Sequence, residues 1–152
     1  CVARNSGAAS RYCWNRTSHR QSSTAETANT SYPMDKQSRG KDAEDRASAY
    51  LQARGLRLLQ RTYRSRRGEI DLIFQDTDSL VFVEVRYRAR PHYGSAAESV
   101  DWRKQTKLIA CAHHYLQSHP AAGRQPCRFD VVSVTGNNTA IEWIPNAFSA
   151  RE

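Results

Sequence analysis

Two apolar stretches, Ile70-Asp71-Leu72-Ile73-Phe74 and Val81-Phe82-Val83-Glu84-Val85, constrain this chain most, because they match as the arms of one hairpin. The turn-forming residues Asp76-Thr77-Asp78-Ser79 separate them. If the arms close symmetrically about Thr77-Asp78, Ile70 faces Val85, Leu72 faces Val83 and Phe74 faces Val81. Alternation along each strand then gathers these six on one apolar face. The same register sets Asp71 opposite Glu84 and Glu69 opposite Arg86 on the other face, beside Ile73 and Phe82.

Like charges opposed across a strand pair are destabilising, and burial makes them more so. Such a pair persists if one carboxyl is protonated, if Arg86 compensates, or if a divalent cation lies between the two. Magnesium suits the third case, since it takes one or two carboxylates and completes its shell with water and phosphate oxygens. An acid pair among arginines therefore reads as a phosphodiester-cleaving site. A second reading fits the same spacing: Glu69 and Arg86 form an ordinary cross-strand ion pair and Asp71 faces solvent.

Around the hairpin, Ala43, Ala47, Tyr50 and Leu51 recur at helical spacing, with Gly55 as the expected helix end. Leu56 to Tyr63 reads as a strand. A loop with Pro91 and Gly94 leads to a second helix from Asp101, a suitable N-cap, to Gln117. Phe129 to Val134 and Ala140 to Ile144 close the pattern about Gly136-Asn137-Asn138. The order α-β-β-β-α-β-β predicts an α/β domain, a mixed sheet flanked by helices, over residues 41–152. Residues 1–40 lack apolar periodicity and hold only Glu26 and Asp35 as acids among several basic residues, so a disordered basic tail is expected there.

The whole chain carries 23 Lys and Arg against 15 Asp and Glu, a net +8, which favours a polyanionic partner such as nucleic acid. Arg54, Arg57, Arg61, Arg64, Arg66 and Arg67 cluster before the hairpin and Arg88 follows it. They suit phosphate contacts, and a solvated charged face explains them equally. No run of about 18 apolar residues spans a membrane, and no apolar segment near the start resembles a secretory signal. Cys1, Cys13, Cys111 and Cys127 show no metal-binding spacing, which points to a reduced cytoplasmic protein. A sequence that starts at Cys1 rather than Met reads as a fragment or a misplaced start.

Asp71 followed by Glu84-Val85-Arg86 resembles the D…(D/E)-x-K pattern of the PD-(D/E)xK nuclease superfamily. The stretches Gly68 to Ile73, Phe82 to Arg88 and Arg128-Phe129-Asp130-Val131-Val132 resemble more closely the bacterial YraN family, and the likeness runs from about Gly40 to Phe148. It also takes in Ala43-Glu44, Lys104-Gln105 and Glu142-Trp143-Ile144. The resemblance implies a restriction-endonuclease-like fold akin to Holliday-junction resolvases. The activity it implies is divalent-metal-dependent (Mg2+ or Mn2+) cleavage of DNA, branched or structured DNA included, and it admits a homodimer. Carried over by position, Asp71, Glu84 and Glu44 are metal ligands, and Asp71, Glu84 and Arg86 form the catalytic set. Glu69 and Gln105 become positioning residues for substrate or water. Glu44 also reads as a first-turn acid favoured by the helix dipole, and Gln105 as an ordinary polar helix residue.

Arg86 departs from the superfamily, where Lys is usual. Arginine stays protonated at physiological pH, so it holds a phosphate through parallel hydrogen bonds but accepts no proton. A nucleic-acid-binding module with a relic site is the alternative that this departure raises.

Overall fold

The computed structural model describes residues 35–89, 100–136 and 140–150. Residues 1–34 of the tail expected over 1–40, the loop with Pro91 and Gly94, and Asn137-Asn138 lie outside the described residues. Helix α1 (Lys36–Gln52) precedes strands β1 (Arg57–Ser65), β2 (Gly68–Asp76) and β3 (Ser79–Arg88). Helix α2 (Trp102–Ser118) and a short 3-10 turn then lead to β4 (Cys127–Thr135) and β5 (Ile141–Phe148). This is the order read from the sequence.

Helix α1 starts earlier than expected, five residues inside the stretch read as tail. Asp35 caps it, its Oδ1 accepting the Ser38 N–H at 2.7 Å. Gly55 follows its C-terminus with φ 94, a left-handed conformation that glycine adopts without a Cβ clash, and turns the chain into β1.

The five strands lie side by side in sequence order. Strands β1, β2 and β3 form an antiparallel meander; β4 pairs parallel to β3 across the α2 crossover, and β5 returns antiparallel to β4. The sheet is buried on both faces. Ala43, Ala47 and Leu51 of α1 pack on Leu72, Phe74, Val81, Val83, Val132 and Val134. Leu108, Cys111, Ala112 and Tyr115 of α2 pack on Ile70, Ile73, Phe82, Phe129 and Val131. No helix among the described residues is long and apolar enough to cross a membrane.

The hairpin closes in the expected register from Asp76↔Ser79 to Leu72↔Val83, about a two-residue Thr77-Asp78 turn. The expected six-residue apolar face is incomplete, however. Ile70 shares the α2-side core with Ile73, three positions on, while Val85 packs with the α1-side core. Strict alternation would separate Ile70 from Ile73. The backbone breaks that alternation next to Asp71. Thr62, which lies between the Arg61↔Leu72 and Tyr63↔Ile70 pairs, has φ 48.

Strand β5 is longer than expected and is tied to β4 through a buried acid. Asp130 is fully buried and accepts from Arg128 Nε (3.0 Å), Trp143 Nε1 (3.0 Å) and the Asn146 N–H (2.9 Å). Arg128 reaches on to Asp76 at 2.8 Å, joining β4 to the end of β2. The β4–β5 register shifts between Phe129 and Val131, beside Asp130. The carboxylate thus supplies acceptors where the ladder is irregular. Removing one partner of a buried ion pair typically costs about 3–5 kcal/mol. Asp130→Ala should lower unfolding stability in urea by that order, whereas Asp130→Asn, which keeps one acceptor oxygen, should lose less.

Candidate active site

Strand β2 pairs with β1 as far as Gly68↔Ser65, but its ladder with β3 ends at Leu72↔Val83. Beyond that pair β2 and β3 part, and Asp71 is the first residue in the gap. Its Oδ2 accepts the Val85 N–H at 2.7 Å, a backbone donor that the departing strand no longer meets. Asp71 and Glu84 are therefore not the directly opposed ladder pair expected from the sequence. They are neighbours across a wedge, close enough for the charge of Asp71 to act on Glu84.

Glu84 is 4% exposed, and each of its oxygens faces a cation. Arg86 Nε lies 3.5 Å from Oε1, and Lys104 Nζ of helix α2 lies 2.9 Å from Oε2. Burial pushes the Glu84 carboxyl up to about 7 and the Asp71 charge adds to this, while Lys104 and Arg86 pull the other way. Burial also raises Asp71, and the nearby Glu69 adds to it; the Val85 N–H and Lys104 oppose the rise. Glu44, half-buried on α1, is raised first by burial and then by the charges of Asp71 and Glu69. The site thus concentrates acids whose carboxyls burial and mutual repulsion shift upward.

The other expected residues divide. Glu69 does not pair with Arg86; it pairs across the β1–β2 ladder with Arg64, Nε to Oε2 at 2.7 Å. The ladder to β3 has ended by then, so Arg86 turns instead to Glu84 on its own strand. Gln105 donates from Nε2 to the Val100 carbonyl at 2.8 Å, which anchors the entry to α2. Glu44 is close enough to Asp71 to be coupled electrostatically. Among the described residues, though, no three His, Cys, Asp or Glu side chains converge as a ready metal cluster.

The arginines do not form one surface. Arg64, Arg66 and Arg67 gather at the β1–β2 turn with Glu69 and Lys107, around a shallow depression. Arg61 is engaged with Asp45 of α1. Arg57 sits at the far end of β1, across from Gln75, in a hollow with Thr77, Asp78 and Arg124. Arg88 lies near the end of β3, where its carbonyl accepts the Gly136 N–H at 2.8 Å. Arg54 stacks on Tyr50, its Cζ 3.4 Å from the ring centroid.

Lys104 is the site residue that sequence reasoning left without a role. A signal was present: Asp101 caps α2, which places Lys104 in the first turn. A cation there is opposed by the helix dipole. Its presence at that position asks for an acidic partner, which Glu84 supplies.

The chain matches the family described as "Uncharacterised protein family UPF0102" over residues 43–134. It is also 52% identical over 118 residues to a UPF0102 protein of Nitrosococcus oceani, covering 76% of this chain and 95% of that one. The chain belongs to UPF0102. A UPF0102 protein of Xanthomonas oryzae pv. oryzae is 48% identical over 118 residues, covering 78% of this chain and 97% of its own length. One from Pseudomonas putida is 47% identical over 112 residues, covering 72% and 91%. The UPF0102 match takes in Glu44, Asp71, Glu84, Arg86 and Lys104, and hence every part of the acid wedge.

The raised carboxyls of this UPF0102 protein set the sign of its pH dependence. A carboxyl near 7 when folded but near its ordinary 4.5 when unfolded makes the folded chain bind protons more tightly. Metal-free stability attributable to Glu84 therefore falls as pH rises from about 4.5 to about 7 and stays lost above that. Thermal melts in chelator should show Glu84→Gln gaining on wild type between about pH 5 and pH 8, by on the order of 2–3 kcal/mol. A wild-type-to-mutant difference that does not change with pH would remove the buried-acid assignment.

Proposed function

We propose that this protein is a divalent-metal-dependent nuclease that hydrolyses phosphodiester bonds in DNA, branched or structured DNA included. The observation that carries this reading is the wedge between β2 and β3. There a buried carboxyl (Glu84) and a half-buried one (Asp71), both raised by desolvation, stand beside two cationic side chains. A fold gains nothing in stability from such a pair, whereas a site that binds a hard cation and a phosphate needs both signs of charge. The resemblance to the YraN family and the PD-(D/E)xK superfamily supports the same reading.

The donor set fits magnesium or manganese. Asp71 and Glu84 offer only carboxylate oxygens, and magnesium characteristically takes one or two of these and leaves its other positions to water and phosphate. Glu44, on the α1 side and near Asp71, would be the third carboxylate to hold the ion. When bound, such an ion supplies Lewis acidity and charge stabilisation at the scissile phosphate. Asp71 is held in place by the Val85 N–H, so it presents a fixed carboxylate rather than a mobile one. Arg86 holds non-bridging phosphate oxygens and stabilises the charge that builds during attack by water. It remains protonated throughout and takes no proton from that water.

Arg64, Arg66, Arg67 and Lys107 at the β1–β2 turn grip the flanking backbone phosphates, with Glu69 orienting Arg64. Gln105 acts through the backbone it fastens at the head of α2. The basic turn commits the protein to a polyanion, and cytoplasmic DNA is the substrate that we infer. Arg86 in the usual lysine position favours one second reading, a nucleic-acid-binding protein whose hairpin no longer cleaves.

Cleavage of linear, flapped and four-way DNA with magnesium or manganese against chelator tests the proposal. Asp71→Asn and Glu84→Gln should each lower cleavage at least about 100-fold, while leaving DNA affinity within a few-fold. Metal-dependent DNA binding without cleavage of any substrate would favour the second reading. In either case, removing Arg66 or Arg67 should reduce the slope of log K against log salt by about one unit.

A further inference from the structure

We propose that Lys104 is a built-in counter-ion that the divalent cation displaces from Glu84, and that the freed ammonium then binds a phosphate of the nucleic acid. This rests on the metal-dependent reading of the wedge. The ammonium lies 2.9 Å from Glu84 Oε2, while Arg86 lies beside Oε1. Both oxygens of the buried carboxylate are therefore faced by cations in the metal-free fold. A metal ion that coordinates Glu84 brings a second positive charge against one of them and competes with it for the carboxylate.

Three features select Lys104. It is a compact charge on a flexible four-carbon stem, whereas Arg86 has its planar guanidinium beside a carboxylate on its own strand. Its side chain is 32% exposed, so water and substrate reach it from the open side. Its place in the first turn of α2 also sets it against the positive end of the helix dipole, which favours any anion that can receive it. Other charges face the same wedge. Asp71 on β2 adds to the attraction on Lys104, and Glu44 and Glu69 are coupled to Asp71 from α1 and β2. Removing Glu84 from its reach leaves the ammonium with an incoming phosphate as its strongest new partner.

The displacement has a thermodynamic signature that a merely structural ion pair lacks. Lys104 should oppose metal binding when no nucleic acid is present, and should contribute to DNA binding only when metal is present. The experiment uses full-length protein at about pH 8.5, where Glu84 is largely ionised, with Mn2+ affinity read by titration calorimetry. Lys104→Met and Lys104→Gln should each bind Mn2+ about tenfold more tightly than wild type, because a competing charge is gone. Lys104→Arg, which keeps the charge, should stay within about threefold of wild type. DNA binding is then measured against salt, in calcium and in chelator. Lys104→Gln should lower the salt slope by about one unit in calcium and leave it unchanged in chelator.

Equal or weaker Mn2+ binding by both neutral variants would overturn the counter-ion role. An equal change of slope in calcium and in chelator would overturn the transfer to phosphate. Absence of Mn2+ binding by wild type at millimolar concentration would instead remove the metal reading itself, an outcome distinct from either.

Discussion

Asp71 takes the Val85 N–H at the point where β2 leaves β3, and the character of the site follows from that bond. A sheet that splits leaves backbone donors without partners, and a buried donor without one is costly. A carboxylate can fill the place of the missing carbonyl, but it brings a charge into a largely desolvated wedge. Glu84, one step past the last ladder pair on β3, adds a second. Lys104 from one helix and Arg86 from the strand meet that charge, while Glu44 from the other helix increases it. The balance is left acidic and strained in its protonation.

The rest of the domain holds this split in place. The α2-side core receives Ile70 and Ile73 together, beside the irregular backbone at Thr62. Gly68, at the base of β2, lies so close to α2 that a Cβ would stand 3.0 Å from the Lys107 carbonyl oxygen. The absence of a side chain there lets the strand and the helix that carries Lys104 approach. On the far side, Asp130 and Arg128 pin β5 and the end of β2 to β4.

Periodicity made the element order, the two-residue hairpin turn and the cap at Asp101 legible, because each is a local property of a few consecutive residues. The hairpin register was legible from Asp76 to Leu72 for the same reason. It failed at Ile70 and Glu69, where the governing event is that β2 follows β1 rather than β3. Two strands competing for one partner leave no mark on hydrophobic spacing. The start of α1 was misjudged because Lys36 to Lys41 carries no apolar stripe; the Asp35 cap, not burial, sets that end. The arginines read as one cluster from their closeness in sequence, yet a strand separates Arg57 from Arg66 by its whole length. Lys104 was hidden by distance along the chain, since its partner lies twenty residues earlier on another element.

The two cores lie on opposite faces of one sheet, and a residue from the helix on each face acts on the wedge. Its backbone and its two central carboxyls come from strands, but the charges that tune it come from Glu44 on one helix and Lys104 on the other. Neither of these helix residues takes part in a ladder. Evolution can therefore retune the electrostatic character of this cleft by exchanging single helix side chains, leaving the pairing that defines the architecture intact.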